Sequence, residues 1–352
     1  MIFNKKASRL LMALVLALFM IAASGSSATA EETIRWKGQS CFPISTPLGK
    51  HTIVLWKDFV EKMSGGRMQL TLHDAGEIVP GSKVYDAVKD GLLDFGLNTP
   101  AYQKGKYPAG DLFYTLPAGI LEFNDLILWL YGGGGKELEQ EMYGNELRVF
   151  PLGLTPPEEI WSKRPINTLD DIKGLKIRAA GLSMDLWEKL GASVVLLTGG
   201  EVLPALQRGM IDATEFLEPS FDYTMGLHEV CKYRFGPPIH MSNNIFQLLI
   251  KTKSWEALPD DLKTIVEKAA MAATFQGYAD FWQSSIEYNS KIEEYGTITN
   301  KLSKADQEKA RKLGMEIINE KAQKDPFFKK VWESQKAFIE EYKPYHDLTK
   351  FD

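Results

Sequence analysis

The stretch AGEIVPGSKVYDAVKDGLLDFGL at residues 75–97 has a counterpart, GGEVLPALQRGMIDATEF, at residues 199–216. Both carry Gly-Glu, two aliphatic residues, a proline, a short amphipathic segment, then glycine, two apolar residues and aspartate. A β-rich run precedes each copy, at 68–74 and at 193–198. Each copy therefore predicts a strand, a short helix and a second strand. The repeat predicts two α/β lobes of similar design, in which ligands favour the carboxyl ends of the strands.

Helices make up most of the remaining chain. The predicted helices cover 45–66, 183–192, 259–296 and 303–342, the last broken near Asp325-Pro326. At 1.5 Å per residue, the 259–296 helix is roughly 50 Å long. That length is enough to brace both lobes or to reach a second subunit. The glycine run in YGGGGKELEQ, residues 131–140, follows a helix and lacks a GK[ST] sequence, so it predicts a turn rather than a phosphate cradle.

The first thirty residues predict a secretory signal peptide. Lys5, Lys6 and Arg9 precede an apolar run that ends in small residues at Ala30, which predicts cleavage after Ala30. The expected location is therefore periplasmic. Removal of these three cations changes the net charge from −5 to −8 (−5 − 3). An acidic chain of this kind has no electrostatic basis for binding nucleic acid.

Reactive motifs are scarce in this sequence. Two cysteines, Cys41 and Cys231, are far apart, and the sequence does not decide between a disulfide and two free thiols. There is no CxxC, no HExxH and no nucleophile elbow. The sequence therefore favours a binding protein over an enzyme.

Three stretches together resemble a known family. GEIVPGSKVYDAVKDGLLDFG, PINTLDDIKGLKIRAAG and GGEVLPALQRGMIDATEF are similar to the hallmarks of extracytoplasmic solute receptors of tripartite ATP-independent periplasmic (TRAP) transporters. The resemblance is closest to the 2-oxo acid and lactate-binding branch. It implies a two-lobed periplasmic binding protein fold, in which each lobe is a mixed sheet flanked by helices. It also implies a long helix that braces the lobes and a helical C-terminus.

The resemblance also implies a domain organisation and a function. We expect a receptor that binds a small organic carboxylate in an interlobe cleft and delivers it to a membrane permease. The ligand would be a 2-oxo, 2-hydroxy or amino acid, with room for an apolar or aromatic side group. The expected boundaries are a signal peptide at 1–30, lobe I at 31–152, lobe II at 153–238, a return to lobe I at 239–258, and bracing and C-terminal helices at 259–352.

Arg178 is the first predicted ligand-binding residue. It stands where the short strand-like run Leu175 to Ile177 ends, before a turn marked by Gly181. The resemblance implies that this arginine binds the ligand carboxylate. A guanidinium forms two parallel hydrogen bonds to a carboxylate, which a lysine does not.

Glu215 and Phe216 follow the second copy of the repeat. In the 2-oxo acid branch, an acidic residue here and the main chain of the next residue help to hold a metal ion that bridges to the ligand. The resemblance therefore implies that Glu215 and Phe216 are ligand-binding and metal-binding. Phe216 stands where that branch commonly has tryptophan.

The loop GLTPPEEIWSKRP, residues 153–165, departs from the branch, which usually places a metal-binding glutamine there. Pro157 or Glu158 occupies that position, and Glu158 is a further candidate for ligand and metal binding. Two carboxylates close together raise each other's pKa unless a cation intervenes. Three solutions stay open: bound Ca²⁺ in place of Na⁺, an amine on the ligand, or a Glu158 side chain directed to solvent.

Lobe I should supply the opposite wall of the cleft. Residues 94–110 leave the strand of the first repeat, and residues 35–43 follow the first strand of the chain. The candidates on these loops and just after Glu158 are Asn98, Thr99, Tyr102, Trp36, Ser40, Phe42 and Trp161. Of these, Tyr102, Asn98 and Trp36 are the predicted ligand-binding residues.

Two functional classes follow from these observations. The favoured class is a TRAP receptor with no tightly bound cofactor, a Ca²⁺ or Na⁺ ion that bridges the ligand, and a permease as its partner. The alternative is a periplasmic enzyme that acts on an organic acid, with Glu158 or Glu215 as general base. The long helices are also compatible with a homodimer.

Overall fold

Two mixed sheets form the framework of the protein. The computed structural model describes residues 33–114, 123–241 and 244–349. In those residues the strands are β1 (Ile34–Ser40), β2 (Met68–His73), β3 (Phe95–Asn98), β4 (Leu147–Thr155), β5 (Ile160–Ser162), β6 (Lys176–Arg178), β7 (Ser193–Val195), β8 (Ala213–Glu215), β9 (Tyr233–Gly236), β10 (Asn244–Lys251) and β11 (Ile298–Lys301). The first sheet has the order β2-β1-β3-β10-β4 and the second β11-β9-β5-β8-β6-β7. We call the parts built on these sheets lobe I and lobe II.

The two sheets repeat one topology, as the duplicated sequence predicts. Strands β2-β1-β3 in lobe I correspond to β7-β6-β8 in lobe II, because in each case the first strand in sequence lies between the next two. Parallel pairing joins β1 to β3, β6 to β7 and β6 to β8. An antiparallel strand then follows in each sheet, β10 beside β3 and β5 beside β8. The predicted pair of α/β lobes is confirmed.

Helices cover both sheets. They are α1 (Pro47–Gly49), α2 (Leu55–Met63), α3 (Val84–Lys89), α4 (Asp111–Tyr114), α5 (Phe123–Gly132), α6 (Gly135–Tyr143), α7 (Ser183–Lys189), α8 (Gly199–Gln207), α9 (Pro219–Thr224), α10 (Leu227–Val230), α11 (Thr252–Glu256), α12 (Asp260–Tyr295), α13 (Lys304–Lys324) and α14 (Pro326–Thr349). A π-helical segment, Lys50–Val54, joins α1 to α2. Short 3₁₀ turns lie at Gly81–Lys83, Pro100–Gln103, Pro108–Gly110 and Leu169–Ile172.

The helix α12 braces the two lobes, as predicted. It has 36 residues, which corresponds to about 54 Å. Near its start, the backbone carbonyl of Val266 accepts a hydrogen bond from Nε1 of Trp56 in lobe I, at 3.2 Å. Further along, Ser285 donates to the Glu218 carboxylate of lobe II, at 2.5 Å. One helix is therefore bonded to both lobes.

The chain crosses between the sheets later than the sequence suggests. Strand β4 pairs with β10 as far as Thr155, so residues 153–155 still lie in the sheet of lobe I. Strand β11, at Ile298–Lys301, was not predicted in the helical C-terminal part, and it pairs in parallel with β9 of lobe II. Its four residues are too few, and too polar, to show a strand pattern between two long helices.

Other predictions concern the cysteines and the first residues. Cys41 and Cys231 are both buried free thiols. The predicted signal peptide lies outside the described residues. Among the residues that the structure describes, no helix combines the length and apolar character needed to cross a bilayer.

Candidate functional site

A cavity of about 10 Å³, which is room for roughly one water molecule, lies where strands of both lobes end. Its wall combines aromatic residues, two carboxylates and one guanidinium. The lining residues are Phe42, Thr99, Ala101, Tyr102, Tyr114, Glu158, Arg178, Ala180, Glu215, Phe216, Leu217 and Met241. Small-molecule sites usually have about 300–1,000 Å³, so the lining residues of the two lobes leave almost no free space here. A ligand would enter only if these walls moved apart, and a small ligand would need the least movement.

Arg178 is held in one orientation at the end of β6. Its Nε donates to the carbonyl of Leu197 and its Nη1 to the carbonyl of Glu215, each at 3.0 Å. The guanidinium carbon lies 4.8 Å from the ring centre of Phe216, a cation–π contact. Within the described chain, Nη2 of Arg178 makes no hydrogen bond. A buried cation therefore presents an unused donor at the cavity wall.

The Glu215 carboxylate supports the turn that follows Arg178. Its Oε1 accepts hydrogen bonds from Ala180 N at 2.7 Å and Ser183 Oγ at 2.6 Å. Its Oε2 accepts from Trp187 Nε1 at 2.9 Å. A carboxylate has roughly four lone-pair sites, so three donors leave one site for another partner. Glu215 is thus mainly engaged in holding the start of α7 against β8.

Glu158 is buried and lines the cavity, so the option that it points to solvent is wrong. Its carboxylate accepts a hydrogen bond from Asn244 Nδ2. Burial raises the pKa of Glu158 to about 7, and the charge of Glu215 raises it further, although the neighbouring His240 ring and a hydrogen bond from Asn244 oppose the shift. A substantial fraction of this carboxyl group is therefore protonated at neutral pH.

His240 lies between the two carboxylates. Its Nε2 is 3.5 Å from Oε2 of Glu158 and 3.6 Å from Oε2 of Glu215. The side chain is fully buried. A basic side chain of the protein therefore stands beside the carboxylate pair, a solution that the sequence analysis did not consider.

Lobe I contributes an aromatic wall. Phe42 packs 6.2 Å from Tyr102 and 5.6 Å from Phe246, measured between ring centres. It also contacts Phe221 of lobe II edge-on at 6.2 Å. Burial raises the pKa of the Tyr102 hydroxyl above its usual value, so Tyr102 is a hydrogen-bond donor at neutral pH. The wall is apolar with a few hydroxyl groups.

Two predicted ligand-binding residues lie away from the cavity. Asn98 donates to Gln103 Oε1 at 2.8 Å and to Gln247 Oε1 at 3.1 Å, inside lobe I. Trp36 packs on Phe95 with ring centres 6.5 Å apart. Neither residue is among the cavity-lining set. Successive residues of a strand point to opposite sides, so Thr99 reaches the cavity where Asn98 does not.

Two further aromatic and polar candidates are also internal. Trp161 donates from Nε1 to the buried Asp222 carboxylate at 2.8 Å. Ser40 Oγ accepts a hydrogen bond from Phe42 N at 3.1 Å, which fixes the loop after β1. Both support the wall without lining it.

The sequence analysis missed Tyr114, Leu217, Met241 and His240. Tyr114 follows no pattern that separates it from a core aromatic residue. His240 and Met241 lie where the chain returns to lobe I, and a return between two lobes passes close to the cleft. Their position at this return was the sequence feature from which these two residues could have been predicted.

The oxygen donors of this site fit a hard cation. The Glu158 and Glu215 carboxylates both line the cavity, and carboxylate oxygens are ligands that Ca²⁺ prefers. Among the described residues, no group of three or more His, Cys, Asp or Glu side chains is placed to hold a metal ion. A cation here would therefore need main-chain or ligand oxygens as well.

Comparison with known proteins matches this chain to one family model, one relative and two solved structures. The sequence model described as "DctP: Bacterial extracellular solute-binding protein, family 7" matches residues 40–325. A monocarboxylate 2-oxoacid-binding periplasmic protein of Nostoc sp. is 32% identical over 309 residues, covering 87% of this chain and 84% of that protein. Two solved TRAP periplasmic solute-binding proteins, each 28% identical, align over 90% of this chain.

The first of these structures comes from Colwellia psychrerythraea and has bound calcium and pyruvate; its TM-score is 0.84 and 98% of it is covered. The second, from Pseudoalteromonas atlantica, has bound sodium and pyruvate, with a TM-score of 0.82 and 97% coverage. The expectation that such sites combine a small acid with Ca²⁺ or Na⁺ is therefore confirmed for relatives of this chain.

Proposed function

This chain belongs to family 7 of the bacterial extracellular solute-binding proteins, and we propose that its ligand is a monocarboxylate 2-oxo acid of about the size of pyruvate. The family consists of substrate-binding receptors of TRAP transporters, which are not enzymes. The alternative with Glu158 or Glu215 as general base is therefore set aside. A small organic acid and a TRAP permease are the partners of such a receptor.

The observation that carries the proposal is the unused donor of Arg178 at the cavity wall. Charge-assisted hydrogen bonds contribute about 1.5–3 kcal/mol each, and Nη2 is available for a ligand carboxylate. Arg178 is the one lysine or arginine among the cavity-lining residues of the described chain, whereas Glu158 and Glu215 are both acidic. A second carboxylate on the ligand would meet repulsion, so the charge balance favours a monocarboxylate.

The neighbouring residues would orient the rest of the ligand. Phe216 supports the guanidinium from one side and lines the cavity with its ring. The Tyr102 hydroxyl is placed to donate to a second ligand oxygen, and Phe42 excludes water from the lobe I side. The small, largely aromatic cavity thereby favours a short apolar side group.

A bound Ca²⁺ or Na⁺ would bridge the ligand to the protein and offset the charge of the carboxylate pair. Glu158 and Glu215 would supply side-chain oxygens, and Phe216 a main-chain oxygen. The relatives that hold pyruvate with calcium or with sodium support this assignment.

Isothermal titration calorimetry on residues 31–352 tests the ligand and the clamp. Pyruvate should bind the wild type with Ca²⁺ and more weakly with chelator, while succinate should bind under neither condition. Arg178→Lys keeps the charge and loses the Nη2 donor, so its affinity should fall at least about 10-fold, as expected for one lost charge-assisted bond. Arg208→Lys on an exposed position is the matched control.

Each other outcome contradicts one part of the proposal. Binding of alanine but not of pyruvate would indicate that an amine on the ligand, rather than a metal ion, offsets the charge of the carboxylate pair. Equal affinity in Arg178→Lys would remove the clamp. No binding of any 2-oxo acid would refute the ligand class.

The family is periplasmic, and we propose that the signal peptide is removed after Ala30. Intact-mass measurement of the protein from a periplasmic extract should give a chain that begins at Glu31. A different first residue would correct the site.

We also propose a homodimer through helix α12. The side chains of Met271, Phe275, Trp282 and Ile286 are 37%, 76%, 41% and 61% exposed. Their spacing of four, seven and four residues places them on one face of the helix. An adjacent groove of about 610 Å³ is lined by Trp282, Ile286 and prolines that include Pro157 and Pro219. Continuous apolar surface of this kind marks an interaction site. In a dimer, the exposed apolar residues of α12 in each copy would pack into the groove of the other copy.

Light scattering coupled to size-exclusion chromatography tests the dimer. The wild type should have twice the mass of one chain, and Phe275→Glu should be monomeric. Met63→Glu changes an equally apolar exposed residue in lobe I and should leave the dimer intact. A monomeric wild type at about 100 μM would sink the proposal, since stable interfaces of standard size hold at far lower concentrations.

A further inference from the structure

A lysine outside the ligand cavity joins the two lobes. Lys104 follows the Pro100–Gln103 turn, which leaves β3 of lobe I. Its Nζ donates to the backbone carbonyl of Gly181 at 2.9 Å and to Oδ2 of Asp185 at 2.7 Å. Gly181 and Asp185 belong to lobe II, between Arg178 and the middle of α7. One side chain of lobe I therefore binds the segment that follows the clamp arginine.

The same aspartate is bound from a third element. Oδ1 of Asp185 lies 2.9 Å from Nζ of Lys321 on α13. Burial opposes ionisation of Asp185, but hydrogen bonds from Lys104 and Lys321 outweigh it and hold its pKa below the usual value. Asp185 is therefore a charged bridge, about three-quarters buried, between lobe I, lobe II and the C-terminal helices.

The lobes also fit closely at this point. Asp111 of α4 is fully buried, and its carboxylate oxygens accept no hydrogen bond from the described residues. A Cβ atom at Gly181 would lie 2.7 Å from Oδ1 of Asp111. The close approach requires glycine at position 181, whose φ of +66° also favours it. Burial raises the pKa of the Asp111 carboxyl group to about 7, and the positive charge of Lys104 opposes that rise.

None of these groups lines the ligand cavity. Lys104, Asp185 and Lys321 therefore influence a ligand only through the position of the lobes. If the binding-competent closed form is only partly populated, the observed dissociation constant rises by the inverse of that fraction. A contact made only between closed lobes increases that fraction.

We propose that Lys104 is a positioning residue that clasps the lobes in the closed state through Asp185 and the Gly181 carbonyl. The clasp sets ligand affinity without touching the ligand. The predicted effect of the clasp on ligand affinity rests on the proposed binding function. Its effect on lobe position is independent of the ligand, because the clasp consists of protein groups alone.

Lys104→Met and Asp185→Asn test the clasp, with Lys106→Met as the matched control. Lys106 bonds to Tyr85 within lobe I, and no hydrogen bond or ion pair joins it to lobe II among the residues that the structure describes. Small-angle X-ray scattering of the free protein should show a larger radius of gyration for both clasp variants than for the wild type and the control. Pyruvate should bind the clasp variants about five-fold more weakly, the lower end of typical coupling between sites.

Two further measurements separate positioning from a general loss of stability. The double variant Lys104→Met/Asp185→Asn should weaken pyruvate binding by less than the sum of the two single effects, because both changes break the same Lys104–Asp185 bridge. Lys104→Arg should restore most of the affinity. The melting temperature of each free variant should stay near that of the control.

Unchanged scattering together with unchanged pyruvate affinity in Lys104→Met would overturn the clasp. If the wild type does not bind pyruvate, the proposed ligand fails, and scattering of the free proteins alone decides. In that case, identical curves for Lys104→Met and the wild type overturn the clasp, and a more extended variant upholds it.

Discussion

The guanidinium of Arg178 is fixed by protein groups on several sides before a ligand arrives. Two backbone carbonyls accept its hydrogen bonds, and the Phe216 ring packs against its face. Glu215 meanwhile fixes the following turn through Ala180 and Ser183. A ligand carboxylate bound as proposed would meet a donor that has already lost its conformational freedom. Such pre-organisation increases affinity because less entropy is lost on binding.

Gly181 provides a prediction at the scale of one residue. Gly181→Ala and Gly174→Ala both place alanine at a similar positive φ, +66° and +70°. Each should lower the free energy of unfolding by about 1–2 kcal/mol. Only Gly181→Ala adds an atom against Asp111, because nothing lies within 4 Å of a Cβ at Gly174. Calorimetry should therefore find weaker pyruvate binding in Gly181→Ala alone, and equal affinities would show that the lobes close without this contact.

Site residues could be predicted where a charged or aromatic side chain lies near the end of a predicted strand. Arg178, Glu215, Phe216, Glu158 and Tyr102 all line the cavity. Asn98 does not, because strand alternation turns it inward, and its register was not visible in the sequence. His240 was missed because its importance comes from two carboxylates contributed by distant segments. Their convergence is a property of the fold.

Helix α12 passes so close to the start of the first helical stretch that a glycine is needed. A Cβ atom at Gly277 would lie 2.0 Å from the backbone carbonyl oxygen of His51. The backbone of His51 cannot move aside as a flexible side chain can, so α12 and the π-helical segment Lys50–Val54 would have to move apart. Gly277 therefore sets the distance between the brace and lobe I.

Gly277→Ala should destabilise the protein by about 1–3 kcal/mol, the usual cost of overpacking. In a helix without such a contact, replacing glycine by alanine instead stabilises the protein by about 0.5–1 kcal/mol. Gly200→Ala in α8, where no atom lies within 4 Å, is the control for that gain. Urea unfolding of both variants measures the difference, and a stabilised Gly277→Ala would show that the contact relaxes freely.

Elements were predictable where their pattern is long. The helix expected over 259–296 is found at Asp260–Tyr295, and the break at Asp325-Pro326 separates α13 from α14. Short elements were not predictable, as β11 illustrates. Its four residues acquire strand structure by pairing with β9, which lies more than sixty positions earlier in the chain.

The whole molecule contains several buried acids, which should make its stability depend on pH. Burial raises the pKa of Glu139 to about 7, although hydrogen bonding by Gln247 and the charge of Lys136 oppose it. Asp111 and Glu158 also have a pKa of about 7, mainly because they are buried. Each group binds its proton more tightly in the folded state than in the unfolded state.

The free energy of unfolding should therefore rise as pH falls from about 7 to about 4.5, and level off above about 7. Glu139→Gln should remove up to about 3 kcal/mol of this rise, because one pKa unit corresponds to about 1.4 kcal/mol. Urea unfolding at pH 5.5 and pH 8 measures the slope. The exposed Glu141→Gln on the same helix should keep the wild-type slope, and an unchanged slope in Glu139→Gln would locate the titration elsewhere.

The repeated topology of the lobes makes the two sides of the cavity comparable position by position. Strands β1 and β6 are the central strands of corresponding units, and they end at Ser40 and Arg178. Ser40 holds its own loop, whereas Arg178 offers a charge. The two corresponding strand ends of this repeated scaffold therefore differ in charge. An acid bound as proposed would point its carboxylate toward lobe II and its remaining atoms toward the aromatic wall of lobe I, so every copy of the protein would hold the ligand in the same orientation.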